Sequence, residues 1–358
     1  MSETAISDKV FISPETATEV VIGILKGNGV PEDNAKIVAG CLIQADLRGV
    51  DTHGAMRIPS YMKRIRQGVL DPKASPDIKE ITPVVCKVNG NNSFGFISAQ
   101  MAMDRCITMA KTYGIGMASI SHSNHFGMSA SFVLQAAEQD MMSLVFTNSS
   151  PALPAWGGRD KLMGVSPIAA GAPSAPGEIP FVLDMAPSVA ARGKIYRALR
   201  RGEKIPTDWA LDGQGKQTDD PAAALEGVML PMGGPKGSAL AIFMDVFSGV
   251  LSGSAFAGEV VGPYDPSAPS NVGHFIMAIK PDLFMPLEDF KKRMTYLYNK
   301  VTNCNKMDGT ERIYFPGELE ILQEKTRKEK GIPWTQSEID SLNAEADLVG
   351  AQRLVFHS

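Results

Sequence analysis

Between Asp46 and Arg57 the chain reads Asp-Leu-Arg-Gly-Val-Asp-Thr-His-Gly-Ala-Met-Arg, which brings a hydroxyl (Thr52), an imidazole (His53) and a guanidinium (Arg57) together over six residues. Arginine offers a carboxylate a planar, two-pronged donor, and histidine gives or takes a proton near neutrality. Gly49 and Gly54 let the backbone turn sharply around these groups. If the turn after Gly54 is helical, His53 and Arg57 stand four residues apart on one face, so a single small acid can touch both. Read alone, the same residues would suit a solvated surface turn equally well. A second polar turn, Ser-His-Ser-Asn-His-Phe-Gly at 121–127, holds two of the five histidines, His122 and His125. Apolar residues at 117–120 before it and a helical pattern at 129–137 after it put this turn at the carboxyl end of a strand, where open α/β sheets keep their ligands.

Spacing and punctuation give the elements that must position these turns. A helix is expected at 13–27: Ser13 caps it, Pro14 suits its first position, Val20, Val21, Ile24 and Leu25 make an apolar face, and Gly27 ends it. A second opens at Pro31 and carries Ile37, Val38, Cys41, Leu42 and Ala45, so the first reactive turn caps a helical hairpin. Helix resumes at 61–65, and 68–83, punctuated by Pro72 and Pro76, reads as a linker. From Val84 onward, strands at 84–88, 115–120 and 142–146 alternate with helices at 97–111 and 129–139, the pattern of an α/β or α+β sheet. The Pro-, Gly- and Ser-rich middle, 147–187, frames a strand at 181–183. Beyond it lie a basic helix at 192–201, read first as a solvated face, and an apolar helix at 238–251. Then follow a strand at 275–279 beside a structural His274, an amphipathic helix at 287–301, and a capping box at Thr335–Glu338 that opens a last helix.

Two domains are expected from 358 residues, and 44% apolar composition is ample for large cores. A net charge of −4 without a long basic run leaves no footprint for nucleic acid or an anionic membrane, so the partner should be a small molecule. Cys41, Cys86, Cys106 and Cys304 are widely spaced, which points to a reducing compartment and a cytoplasmic protein. The first nine residues lack the apolar core of a signal peptide, and the apolar run at 240–250 is broken by Asp245, so no membrane crossing is expected. Glycines at 233, 234 and 237 could bring backbone amides and Lys236 to phosphate oxygens, although the Walker spacing is absent. No Gly-x-Gly-x-x-Gly occurs, so a nicotinamide cofactor would not be held by the usual dinucleotide fingerprint.

Taken together, the motifs resemble the type 2 malate/L-lactate dehydrogenase family, which is distinct from the ordinary lactate and malate dehydrogenases. The resemblance rests on Arg-Gly-Val-Asp-Thr-His-Gly at 48–54, Asn-His-Phe-Gly at 124–127, Thr-Asn-Ser-Ser-Pro at 147–151 and Trp156-Gly157-Gly158. It continues through Leu183-Asp184-Met185-Ala186, Gly234-Pro235-Lys236-Gly237 and Phe315-Pro316-Gly317-Glu318, in the family's order over nearly the whole chain. Relatives include sulfolactate, ureidoglycolate and malate dehydrogenases, diketogulonate reductase and cyclic ketimine reductases. The resemblance implies an NAD(P)-dependent oxidoreductase that moves hydride between nicotinamide, as NADPH or NADH, and C2 of a small 2-oxo or 2-hydroxy acid or cyclic imine acid. Arg57 would clamp the carboxylate. His53 and His125 are the candidate acid/base pair, with His125 favoured for its place at the sheet edge, and Thr52 stands where the family more often has Ser. Cofactor contacts fall on Ser149, Leu183, Asp184, Met185, Pro235, Lys236, Gly317 and Glu318, with Asp184 either a ribose ligand or a buried structural acid. Gly164-Val165-Ser166-Pro167 departs from the family's usual Gly-Thr-Asn-Pro, so no role is carried onto Val165 or Ser166. Arg159, Lys161, Arg192 and Lys194 could each serve a 2′-phosphate. They do not decide between the cofactors, and the reading leans to NADPH.

The expected architecture is α/β: a non-Rossmann NAD(P)-binding mixed-sheet domain at 76–285 and a helical domain from both chain ends, 1–75 and 286–358. The late helices should pack on the N-terminal ones, and the family implies a homodimer. Two other readings compete. One is a metal-dependent lyase or hydrolase with His53, His122 and His125 as ligands joined by Asp46 or Asp51, since three histidines can hold a catalytic zinc; the dehydrogenase reading needs no metal. The other is a non-catalytic binding module, which has no need of two reactive turns with matched chemistry.

Overall fold

Apolar residues three and four apart make one face of α1 (Pro14–Gly27), and Val20, Val21, Ile24 and Leu25 on it are buried. Each such side chain removed from water contributes roughly 1.5–3 kcal/mol. Ser13 accepts the amide of Thr16 and Pro14 sits in the first turn, as the capping signals require. The computed structural model describes residues 9–355. β1 (Lys9–Ile12) precedes α1; α2 (Glu32–Leu47) follows it, then two 3-10 turns, Asp51–His53 and Ala55–Arg57, and α3 (Ile58–Arg66).

The next elements are β2 (Asp77–Thr82), β3 (Val85–Asn89), α4 (Gly95–Tyr113), β4 (Ile115–Ser123), α5 (Ala130–Ala137) and β5 (Met142–Thr147). β6 (Pro151–Leu153) and β7 (Met163–Gly164) form a short ribbon before β8 (Ile168–Ala172), β9 (Phe181–Met185) and α6 (Arg192–Arg201). β10 (Ala210–Leu211) pairs with β11 (Val228–Met229) around α7 (Pro221–Glu226). α8 (Pro235–Asp245) runs into a π-helical turn, Val246–Val250, ahead of β12 (Val272–Ile279). The chain ends with α9 (Leu287–Thr302), α10 (Glu318–Lys330), β13 (Ile332–Thr335) and α11 (Gln336–Val349).

Seven strands form one mixed sheet in the order β2-β3-β4-β12-β5-β8-β9, in which β3 and β4 are the parallel pair and the other neighbours are antiparallel. Because β12 runs antiparallel to both β4 and β5, the carboxyl ends of those two strands lie on one edge. In register, β12 sets Val272 opposite Ser123 and His274 opposite Thr147. α4 and α5 cover the sheet with Met103, Cys106, Phe132 and Val133.

A second core joins α1, α2 and α3 to β13 and α11 through Ile24, Leu42, Tyr61, Trp334, Ile339 and Leu342, and takes in Phe94 and Phe96 from the start of α4. Of the late helices, α10 and α11 do pack on this group. α9 instead lies against the other part of the molecule: Lys291 pairs with Asp140 at 2.8 Å, and the Thr295 hydroxyl donates to the Glu178 carboxylate. The segment read as a linker contains β2, an edge strand held by pairing with β3 and not by burial, which is why its alternation was hidden. Among the described residues no helix is long and apolar enough to cross a membrane.

Candidate active site

The first reactive turn is built over a buried acid. Asp46, at the end of α2, accepts the amide of Ala55 through Oδ2 at 2.8 Å, and a Cβ on Gly54 would overlap its Oδ1. Close approach, not a left-handed backbone, is what requires glycine there. Burial pushes the Asp46 carboxyl up to about 8. Arg327 of α10 donates to the Asp46 carbonyl and to the Asp51 carboxylate, which occupies the acid that a metal reading would need. The clamped turn presents Thr52, His53 and Arg57. Arg57 Nε donates to the Thr52 carbonyl at 2.6 Å, and its guanidinium lies 4.7 Å over the Tyr264 ring. Its two terminal nitrogens have no acceptor among the described residues, leaving a fork for a carboxylate.

The second turn is pinned by His274. This enclosed residue bridges the carboxyl ends of β4 and β5, with Nδ1 2.7 Å from Thr147 Oγ1 and Nε2 2.9 Å from Ser123 Oγ, and it stacks on Phe126 at 4.5 Å. Burial pushes it down to about 3, which fits the structural role expected for it. The Asn124 amide donates to Asn92 Oδ1 and to the Ser93 carbonyl at 3.0 and 2.9 Å, fixing the loop that carries His125. His125 Nδ1 accepts the Gly127 amide at 3.2 Å and lies 2.7 Å from the Tyr61 hydroxyl of α3. With Nδ1 so used as an acceptor, the neutral ring carries its proton on Nε2, the nitrogen left for a ligand. The rings of His53 and His125 stack with centroids 5.5 Å apart. Enclosure and the Arg57 charge push His53 down to about 3 and His125 well below the usual imidazole range, with His53 and His274 adding to the latter.

A cavity of about 590 Å³ collects these groups. Thr52, His53, Arg57 and His125 line it, and so do Ser149, Leu183, Asp184, Met185 and Gly317. Others named from the sequence lie elsewhere. His122, at the left-handed end of β4 (φ 51°), is exposed and bonds Asn89 at 3.1 Å, so the three-histidine set is not assembled. Among the described residues no three acids, histidines or cysteines group to hold a metal. Pro235 and Lys236 are exposed at the start of α8 and do not line this cavity. Glu318 is wholly buried, bonding Tyr298, Arg312 and the Phe315 amide, and serves the fold there. Of the cations weighed for a 2′-phosphate, Arg159 and Lys161 are drawn to the carbonyls of Gln214 and Leu225, Lys194 lies over Trp209, and Arg192 lines the cavity. Three further residues stand at the site that the motifs do not assign. Tyr61 is four residues beyond Arg57 on the same helical face, a usable signal; Arg48 lay inside a quoted motif without a role; Tyr264 had no local signature.

With this geometry in view, the comparisons with known proteins are consistent. The sequence profile described as Malate/L-lactate dehydrogenase matches residues 12–343, and the chain belongs to that family. Malate dehydrogenase of Pyrococcus abyssi is 38% identical over 355 residues, covering 96% of each chain. The solved sulfolactate dehydrogenase from Methanocaldococcus jannaschii matches with a TM-score of 0.90 at 35% identity, over 96% of this chain and 98% of that one. The delta1-piperideine-2-carboxylate reductase from Pseudomonas syringae pvar. tomato matches with a TM-score of 0.83 at 28% identity, over 94% of this chain and all of that one. Other relatives carry NAD(+) or NADP(+) in their names.

Proposed function

We propose that this chain transfers hydride between a nicotinamide cofactor, NADH or NADPH, and C2 of a small 2-oxo or 2-hydroxy acid, or of the corresponding cyclic imine acid. The observation that carries the reading is the free guanidinium fork of Arg57 in one cavity with two neutral, stacked imidazoles. The cavity suits the cofactor: it is largely apolar, and the Ser149 hydroxyl is a buried group without a partner among the described residues. Bound there, the cofactor would supply or accept the hydride. No dinucleotide fingerprint holds it; Ser149, the Leu183-Asp184-Met185 segment and Gly317 would do so on the mixed sheet.

The remaining work falls to side chains. Arg57 orients the substrate by its carboxylate. In the reducing direction His125, charged by a second ring proton once the substrate is bound, gives its Nε2 proton to the carbonyl oxygen or imine nitrogen and returns to the neutral ring, with the Tyr61 hydroxyl beside Nδ1. Burial, with the charge of Arg57 adding to it, keeps both imidazoles neutral in the empty site; a bound carboxylate that offsets that charge raises their basicity when a proton is needed. The relatives named for malate, sulfolactate and piperideine carboxylate support an acid as substrate. We also infer a cytoplasmic homodimer whose helical part, expected from residues 1–75 and 286–358, leaves out α9, which lies against the other part of the molecule. An exposed apolar stripe at Ile242, Phe243, Val246, Val250 and Leu251 supports the pairing. The test is the absorbance at 340 nm with NADH and NADPH across a panel of 2-oxo acids and ketimines; no change with any pair rejects the assignment.

A further inference from the structure

Arg48 is only 3% exposed, lines the same cavity, and has no part in the reading above. Its Nη1 donates to Glu324 of α10 at 3.0 Å, whereas Nε and Nη2 are buried with no acceptor among the described residues. Nε and Nη2 share one edge of the guanidinium, so the unused donors are a matched pair, spaced to grip two oxygens of one ligand. Donors left unmet in such a place are costly, and a ligand that meets them gains accordingly.

The acids around Arg48 say which ligand. Asp184 accepts the Ala130 amide at 2.8 Å and still opens on the cavity, and Glu320 lines the cavity with no hydrogen bond or ion pair among the described residues. Asp184 is pushed up to about 6, first by burial and then by Glu320, while Arg48 opposes the shift, so the three groups sense one another. Counting Glu324 and the Lys328 that pairs with it at 2.7 Å, three carboxylates stand against two cations. A phosphate would meet net negative charge there. A neutral pair of vicinal hydroxyls meets no such repulsion, since its oxygens accept from the Arg48 edge while its hydrogens go to Asp184 and Glu320.

We propose that Arg48, Asp184 and Glu320 form a subsite for the vicinal hydroxyls of the adenosine ribose, the sugar that carries the extra phosphate in NADPH, and that this subsite selects NADH over NADPH. It rests on the reading that the cavity takes a nicotinamide cofactor. The full chain is titrated with NADH and with NADPH, following binding by fluorescence without turnover. NADH binds tighter by about tenfold or more, a difference of about 1.4 kcal/mol. Glu320→Gln strengthens NADPH and narrows the ratio about threefold or more, and Arg48→Gln weakens NADH by about ten- to a hundredfold. Arg48→Gln also takes away one of the two partners of Glu324, leaving Lys328 at 2.7 Å, so a thermal melt accompanies it; Glu320→Gln has no partner to lose and carries the test by itself. Equal affinities in the unaltered protein, or a ratio that Glu320→Gln does not move, overturns the subsite and leaves the dehydrogenase reading standing. Tighter binding of NADPH, which Arg192 would favour from its own part of the wall, overturns it too. Binding of neither cofactor overturns both together.

Discussion

Replacing Arg57 by Lys tests the carboxylate clamp. In the structure the guanidinium is held by its Nε to the Thr52 carbonyl at 2.6 Å and by the Tyr264 face at 4.7 Å, which leaves its terminal pair aimed at a ligand. A lysine keeps the charge, but it has one compact donor group in place of the fork and cannot make the Nε contact while gripping two oxygens. A charge-assisted hydrogen bond is worth about 1.5–3 kcal/mol, and losing the paired geometry should cost about that much in the transition state. At about 1.4 kcal/mol per decade, Arg57→Lys lowers kcat/KM by about one to two decades, with cofactor affinity unchanged. The assay compares the acid and amide forms of one substrate. The unaltered enzyme prefers the acid strongly, the variant prefers it weakly, and the amide reacts poorly with both. Equal losses on acid and amide refute the clamp, as does a variant with unaltered kinetics and melting temperature.

Tyr61→Phe removes the hydroxyl 2.7 Å from His125 Nδ1 and leaves the Gly127 amide as its remaining partner; one hydrogen bond of about 1 kcal/mol implies a kcat several-fold lower, and an unchanged kcat removes Tyr61 from the site. Gly54→Ala drives a methyl into the buried Asp46 carboxyl and costs about 1–3 kcal/mol by thermal melt, whereas Gly40→Ala, with open space at its Cβ in the middle of α2, should stabilise by up to about 1 kcal/mol. Opposite signs are required. Stability should also peak near pH 6.5. His274 stays neutral in the folded chain down to about 3, but the unfolded chain binds a proton below about 6.5, so acid destabilises, and His53 and His125 act in the same sense. Asp46 has the opposite sign: it keeps its proton in the fold up to about 8, whereas the unfolded carboxyl ionises near about 3.9, so stability falls as pH rises between those values. Asp184, pushed up to about 6, acts in the same sense as Asp46 over a shorter range; three histidines outweigh these two acids below about pH 6.5, and Asp46 acts from there to about 8. Melting temperatures across pH should show the peak, and Asp46→Asn should flatten its alkaline side; an alkaline decline that survives the substitution refutes the assignment to Asp46.

Both reactive turns and the helices around them were legible because their signals are local: caps, glycines, and apolar residues three and four apart. Ser13, Pro14 and the Thr335–Glu338 capping box stand where their side-chain chemistry puts them. What stayed hidden depends on pairing across long sequence distances. β2 is polar because its exposed edge needs no apolar face, and the place of β12 between β4 and β5 is set by a partner more than a hundred residues away. The site divides along the same line. His53, Arg57 and His125 carry their chemistry in their motifs, whereas Tyr264 enters only by folding over Arg57, and Lys236 and Glu318 share the look of ligand contacts without reaching the cavity. His122 and His125 are three residues apart, and the strand end turns one of them away.

The clamp of α10 on the first turn has a consequence for how the protein comes into being. Arg327 reaches back 281 residues to the Asp46 carbonyl, and Glu324 reaches back 276 to Arg48. During synthesis, when the N-terminal part of a chain emerges and begins to fold first, the segment from Asp46 to Arg57 waits without its fasteners while most of the polypeptide is made. The Asp46 carbonyl, the Asp51 carboxylate and Arg48 acquire their partners only when the C-terminal helices arrive. A ribosome-bound nascent chain ending before residue 318 should therefore carry a formed sheet and an unfinished substrate clamp, so competence arrives late and all at once.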